Sequence, residues 1–158
     1  MTNIQLGSVS TATFRNQDLI PTYIEEVKKY CPTEYEQLLV NNSLIPSYVK
    51  DEGDESDWWD SEEVMFLRTE LEDLLNSVAP PFCHFGSNEG NGSDIGFWTD
   101  SRQIYEGISY GEICQISDLD DIDKLDEDGE VFDYYLLVKD HGLMTLYDAE
   151  RKEVWSII

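Results

Sequence analysis

The sequence predicts an α+β protein, with N-terminal helices packed on a C-terminal antiparallel β-meander sheet. Apolar residues recur at helical spacing only in the first half of the chain. The second half breaks into short β-rich runs separated by Gly, Asn and Asp turns. Helices followed by strands, rather than alternating with them, is the α+β order. The 4 Trp, 9 Tyr and 6 Phe among 158 residues supply a core that an acidic disordered tail would lack. The length fits one domain, residues 1–158, with 1–14 as a flexible lead or a first edge strand.

The elements follow in order. Asp18 precedes a helix marked by Ile20, Ile24, Val27 and Cys31, in which Pro21 sits in the tolerant first turn. Pro32 breaks that run, and Thr33 with Glu36 makes a capping box for a short helix through Leu39. Residues 47–60 read as a loop. The clearest helix spans 61–77, where Val64, Leu67, Leu71, Leu74 and Val78 form one apolar stripe. Asp60 or Ser61 caps it, Glu62 and Glu63 suit its positive end, and Pro80-Pro81 stops it. The remainder reads as β: strands at 82–86 and 95–99 around a Gly-rich loop, another at 112–116, and a strong one at 132–139. The run Tyr134-Tyr135-Leu136-Leu137-Val138 predicts burial on both faces. Asp140-His141-Gly142 is a tight turn, and strands at 143–148 and 154–158 close the chain.

Charge bounds the function. There are 34 acidic and 10 basic residues, a formal net charge of -24. Such a surface repels nucleic acid and anionic lipid and attracts basic protein faces or cations. Twenty of the 34 carboxylates lie in two blocks. Eleven fall between Asp51 and Asp73, with Arg68 the sole base, and nine between Asp118 and Asp133, with Lys124 the sole base. The second block is read as a loop. Both blocks also fit solvated loops that simply keep the chain in solution.

Other chemistries fit poorly. No apolar run reaches about 18 residues, so no membrane span is expected. The N-terminus lacks the basic start and apolar core of a secretory signal. Cys31, Cys83 and Cys114 have no C-x-x-C spacing and fit reduced thiols in a cytoplasm. An EF-hand register with Asp128-Gly129 at positions 5 and 6 places Lys124 at 1 and Tyr135 at 12, so both end ligands fail. Cys83 and His84 are adjacent, and on a strand they face opposite ways. With His84 and His141 the only histidines, neither in a nucleophile elbow, no catalytic residue, cofactor or metal is assigned. The stretch at 86–98 has four glycines but no Lys, and a β-like Phe97-Trp98 follows where a helix would be needed, which argues against phosphate binding. It reads as a hairpin whose Asn and Asp side chains bond their own backbone, with a ligand site against Trp98 left open.

Three stretches carry a resemblance. Pro80-Pro81-Phe82-Cys83-His84-Phe85-Gly86, the loop Gly90-Asn91-Gly92-Ser93-Asp94-Ile95-Gly96-Phe97-Trp98, and the hairpin Asp140-His141-Gly142-Leu143-Met144-Thr145-Leu146-Tyr147 together resemble a family of small uncharacterised bacterial and phage proteins. The resemblance covers about the second half of the chain. It implies a shared fold and a bacterial or phage origin, and no functional residue.

The leading expectation is a non-enzymatic DNA mimic that occupies the basic, nucleic-acid-binding surface of another protein, as anti-restriction and anti-CRISPR inhibitors do. Direct nucleic-acid and membrane partners are not expected. The expected contacts are Asp51, Glu52, Asp54, Glu55, Asp57, Trp58, Trp59 and Asp60 in one block, and Asp118, Asp120, Asp121, Asp123, Asp126, Glu127 and Asp128 in the other. The alternative is an acidic adaptor or immunity-type protein that binds one partner through Trp58, Trp59 or Trp98, with one of the Trp58-Trp59 rings instead covering the core. A third reading, a weak cation-binding protein or small hydrolase, would need His84, Asp94 and Trp98 to share a pocket with a metal.

Overall fold

A computed structural model describes residues 3–41 and 57–157. The helices dominate the N-terminal half and the strands the C-terminal half, an α+β arrangement. The chain divides into two compact units: Met1–Ala79 with His84–Trp98, and Pro80–Cys83 with Thr99–Ile158.

In the first unit, helices α1 (Asn16–Tyr30), α2 (Pro32–Asn41) and α3 (Glu62–Val78) accompany strands β1 (Gly7–Ser10), β2 (Cys83–Asn88) and β3 (Asn91–Thr99) in the sheet order β1-β3-β2. Helix α1 starts three residues earlier than the sequence predicts, so Pro21 lies inside it and offers no N–H to the Gln17 carbonyl. Pro32 is the first residue of α2 rather than a spacer before it, the position where its missing N–H costs least. Ser61 caps α3 by accepting from the Val64 N–H at 3.4 Å. The fully buried stripe of α3 is Val64, Leu67, Leu71 and Leu75, with Leu74 and Val78 at its margin. It packs in one core with Leu19, Ile20, Tyr23 and Val27 of α1 and Phe85, Ile95 and Phe97 of the sheet. Tyr23 and Phe97 both meet Phe85 edge-on, with ring centroids 5.2 and 4.9 Å away.

Burial, with Glu72 nearby, pushes the Tyr23 hydroxyl up to about 12. A folded-state value above the ordinary one of about 10 means the folded protein holds this proton more tightly. This residue's contribution to stability, about 2–3 kcal/mol, is therefore fully present below pH 10 and is lost as the pH rises through 12. Tyr23→Phe should flatten that decline in urea titrations between pH 9 and pH 12; an unchanged slope would place its origin elsewhere.

Strand β1, read as a flexible lead or an edge strand, pairs antiparallel with β3 at the sheet edge, Ser8 opposite Gly96. The approach is close. A Cβ on Gly96 would lie 2.0 Å from the Gly7 carbonyl oxygen and 2.8 Å from its carbon, backbone atoms that no rotamer change can move. Gly96→Ala should therefore cost about 3 kcal/mol, at the upper end of overpacking costs. Gly92→Ala, which meets nothing within 4 Å, should stay within about 0.5 kcal/mol of the parent. Urea denaturation of the pair checks the contrast, and equal midpoints would contradict it.

In the second unit, α4 (Ser101–Ser109) and α5 (Asp120–Glu127) accompany strands β4 (Ile113–Ile116), β5 (Tyr134–Val138), β6 (Met144–Asp148) and β7 (Glu153–Ile157), ordered β4-β5-β6-β7. β5, β6 and β7 form the antiparallel meander. Tyr135, Leu136 and Leu137 are consecutively buried, as two covered faces require. Leu136, Leu146 and Trp155 lie side by side across three strands, and the Trp155 indole donates to the Pro81 carbonyl at 2.8 Å. The tight turn at Asp140–Gly142 holds both His141 and Gly142 at positive φ, 65° and 79°.

Three expectations are corrected here. The strand at 113–116 pairs parallel with β5, not as part of the meander. A parallel neighbour needs a crossover, and the second acidic block supplies it as helix α5 rather than as a loop. Ile122 is buried and Leu125 half-buried in the cluster of Ile116, Tyr135 and Leu137, which docks the helix. Helix α4 lies in a stretch read as β. Asp100 caps it by accepting from the Arg102 and Gln103 N–H groups, both at 3.0 Å.

Candidate partner-binding surfaces

The first acidic block enters the structure at a 3-10 turn, Asp57–Asp60. Asp51, Glu52, Asp54 and Glu55 lie outside the described residues. Asp57 and Asp60 are exposed, while Trp59 is 4% exposed and belongs to the core. Trp58 packs edge-on against it at 5.0 Å and remains half-buried. Trp59 is thus the ring that covers the core, and Trp58 the one with surface left for a partner. The Trp59 indole N–H is buried without a hydrogen-bond partner among the described residues. Asn16 joins the turn to α1 by donating to the Trp59 carbonyl at 3.1 Å. Ser61 donates to the Trp58 carbonyl, fixing the entry to α3.

The second block is built around α5. Its apolar pair, Ile122 and Leu125, faces the sheet and leaves Asp120, Asp123, Asp126, Glu127 and Asp128 exposed. Two carboxylates close the helix entry. Asp121 accepts from the Ser117 and Asp118 N–H groups at 3.2 and 3.1 Å, and Asp118 accepts from the Asp120 N–H at 2.9 Å. The Lys124 ammonium, together with the Ser117 and Asp118 N–H groups, holds the Asp121 carboxyl below its usual range. Arg151, at positive φ (67°) in the turn between β6 and β7, reaches across to Asp123 and, at 3.1 Å, to Asp126. These two carboxylates raise its own pKa. Arg151 was not among the expected residues, and nothing local in sequence marks it, because its partners lie in a different element. Seven carboxylates between Asp118 and Asp128 are set against two bases, Lys124 and Arg151, so the surface stays strongly negative while Asp118, Asp121, Asp123 and Asp126 are held by hydrogen bonds or ion pairs.

The groups named for the third reading are engaged separately. His84 Nε2 contacts the Ser87 carbonyl at 3.1 Å, Asp94 accepts from the Ser8 hydroxyl, and the Trp98 indole donates to the Gly86 carbonyl at 3.1 Å. The glycine-rich stretch is a hairpin. Asn88 accepts from the Gly90 N–H at 2.8 Å and Asn91 from the Ser93 N–H at 3.3 Å, the self-bonding expected of its Asn side chains, whereas Asp94 bonds Ser8 instead of its own backbone. Among the described residues no group of three or more His, Cys, Asp or Glu side chains is placed to hold a metal ion. Burial, and then Asp100, pushes the Cys83 thiol up to about 12, which leaves almost no thiolate at neutral pH. Among the described residues no helix is long and apolar enough to cross a membrane. No family model, curated protein or solved structure matches the chain.

Proposed function

We propose that the chain is a non-enzymatic acidic binding protein that occupies the basic, nucleic-acid-binding surface of another protein in a bacterial cytoplasm, in the manner of an anti-restriction or anti-CRISPR inhibitor. The observation that carries the reading is α5. Its eight residues bear five carboxylates over about 12 Å of helix axis, roughly one per 2.4 Å. Duplex DNA presents about one negative charge per 1.7 Å. Lys and Arg side chains spaced to grip phosphates would meet carboxylates at a comparable pitch. Docking through Ile122 and the Arg151 bridge to Asp123 and Asp126 lower the entropy cost of presenting them. The resemblance to bacterial and phage proteins adds the setting in which such inhibitors act.

The test is affinity purification from a bacterial lysate at low and high salt, with and without competing duplex DNA. A DNA-binding protein retained at low salt, and released both by salt and by the duplex, supports mimicry. A partner held equally at both salt concentrations, or bound together with DNA, would sink it. The adaptor reading gains one observation, the partly exposed Trp58. There charge would steer the encounter and the aromatic contact would hold the complex.

A further inference from the structure

Helix α3 turns two large apolar side chains away from its own core. Its buried stripe runs through Val64, Leu67 and Leu71, yet Met65 and Phe66 are 53% and 56% exposed. Phe14, 66% exposed, lies two residues ahead of Asn16, whose side-chain amide is 3.8 Å from the Met65 sulfur. Single exposed apolar residues are ordinary, whereas neighbouring ones rimmed by charge mark interaction sites. On a helix, residues three and four apart are neighbours, so Phe66 sits among Glu62, Glu63 and Glu70. Asp57 and Asp60 precede the same helix. Arg68, the one base on α3, is engaged: its Nε donates to Glu72 at 3.0 Å and its Nη1 to Asn16 at 3.2 Å.

We infer that Met65 and Phe66 form an apolar docking patch for a basic protein segment that carries apolar side chains between Lys and Arg residues. Charge selects this occupant. A second copy of this chain would bring another strongly negative surface against the carboxylate rim, and nucleic acid or anionic lipid would be repelled likewise. A Lys- and Arg-flanked apolar segment satisfies both parts of the patch, burying Phe66 and Met65 while its cations meet Glu62, Glu63 and Glu70. The inference rests on the proposed function for the basic character of the partner. It adds a contact that phosphate mimicry does not need, an apolar anchor that discriminates among basic surfaces.

The probes are two synthetic helical peptides of equal positive charge, one with Leu and one with Ser between its Lys residues. The native chain should bind the Leu peptide at least about tenfold more tightly, as burial of two large side chains predicts. Met65→Ser with Phe66→Ser should bring the two affinities together and leave that for the Ser peptide unchanged, since neither side chain supports the core. Equal affinities in the native chain, or a preference that survives the double substitution, would overturn the inference. So would protection of Met65 from peroxide oxidation in the free chain, or a dimer in sedimentation that Phe66→Ser dissolves, since each places another occupant on the patch. Failure of the proposed function reads differently: the partner from the lysate would then be held equally at low and high salt, or together with DNA, whichever peptide the chain prefers.

Discussion

Replacing Trp59 by alanine is expected to cost about 3–5 kcal/mol of unfolding free energy, the range for deleting a buried Trp or Phe side chain. The ring is 4% exposed and packs in the core formed by α1, α3 and the β1-β3-β2 sheet. The bond that ties the 3-10 turn to α1, from Asn16 to the Trp59 backbone carbonyl, is kept by alanine, so the cost is that of the lost ring. Trp59→Phe should cost far less, since it keeps most of the ring and removes an indole N–H that has no partner among the described residues. Urea titration of the three proteins checks this ordering. If Trp59→Ala were as stable as the parent, the ring would not be the core element described. The ordering also bears on function. Loss of binding in Trp59→Ala would report unfolding of the first unit. Phe66→Ser, which spares the core, and Trp58→Ala, which removes a half-buried ring at its margin, are the substitutions that test an aromatic anchor.

The legible parts of the sequence are those in which local pattern and tertiary packing agree. Val64, Leu67 and Leu71 fall three and four apart behind a Ser61 cap, so α3 could be placed to within a residue, although the stripe continues through Leu75 rather than Leu74. Tyr135-Leu136-Leu137 announces a strand covered on both sides, and it is one. Helix α5 was hidden because Asp-Asp-Ile-Asp-Lys-Leu-Asp-Glu has only Ile122 and Leu125 to show its period, and Asp is a poor helix former. What makes it helical is non-local: β4 and β5 pair in parallel and need a crossover, and Ile122 finds a cluster formed by residues on both strands. Helix α4 had a readable signal, the Asp100 cap with Ile104 and the Arg102–Glu106 pair at i, i+4, but Gly107 obscures it. That glycine is there for space, since a Cβ would come within 3.0 Å of Ile113 and Phe82 side-chain atoms. At the acidic surfaces, the carboxylates themselves were legible by composition. The division of labour between Trp58 and Trp59, and the arrival of Arg151 at Asp123 and Asp126, depend on packing between side chains whose roles no local pattern distinguishes.

On the phosphate-mimic reading, neutralising α5 with Asp120→Asn, Asp123→Asn, Asp126→Asn and Glu127→Gln should weaken binding to a basic, DNA-binding partner by about 10²-fold at low salt, taking each carboxylate as a modest surface interaction. The dependence of log affinity on log salt should also become shallower, by somewhat under one unit for each carboxylate that had met a cation, as it does when phosphates are removed from a DNA complex. Asp121 is left in place because it accepts from the Ser117 and Asp118 N–H groups at the helix entry. Asn at 123 and 126 still offers Arg151 an acceptor, so the fold should tolerate the change. Fewer like charges on one short helix also means less self-repulsion, and the thermal midpoint at low salt should hold or rise. This pairing of outcomes separates the two binding readings. Phosphate mimicry requires that the quadruple variant lose affinity while Trp58→Ala nearly retains it. An aromatic adaptor requires the reverse: Trp58→Ala abolishes the complex, and neutralising α5 mainly slows association. Titration calorimetry gives the affinities and stopped-flow mixing the association rates. A quadruple variant that binds as tightly as the parent, with the same salt slope, would remove α5 from the partner surface.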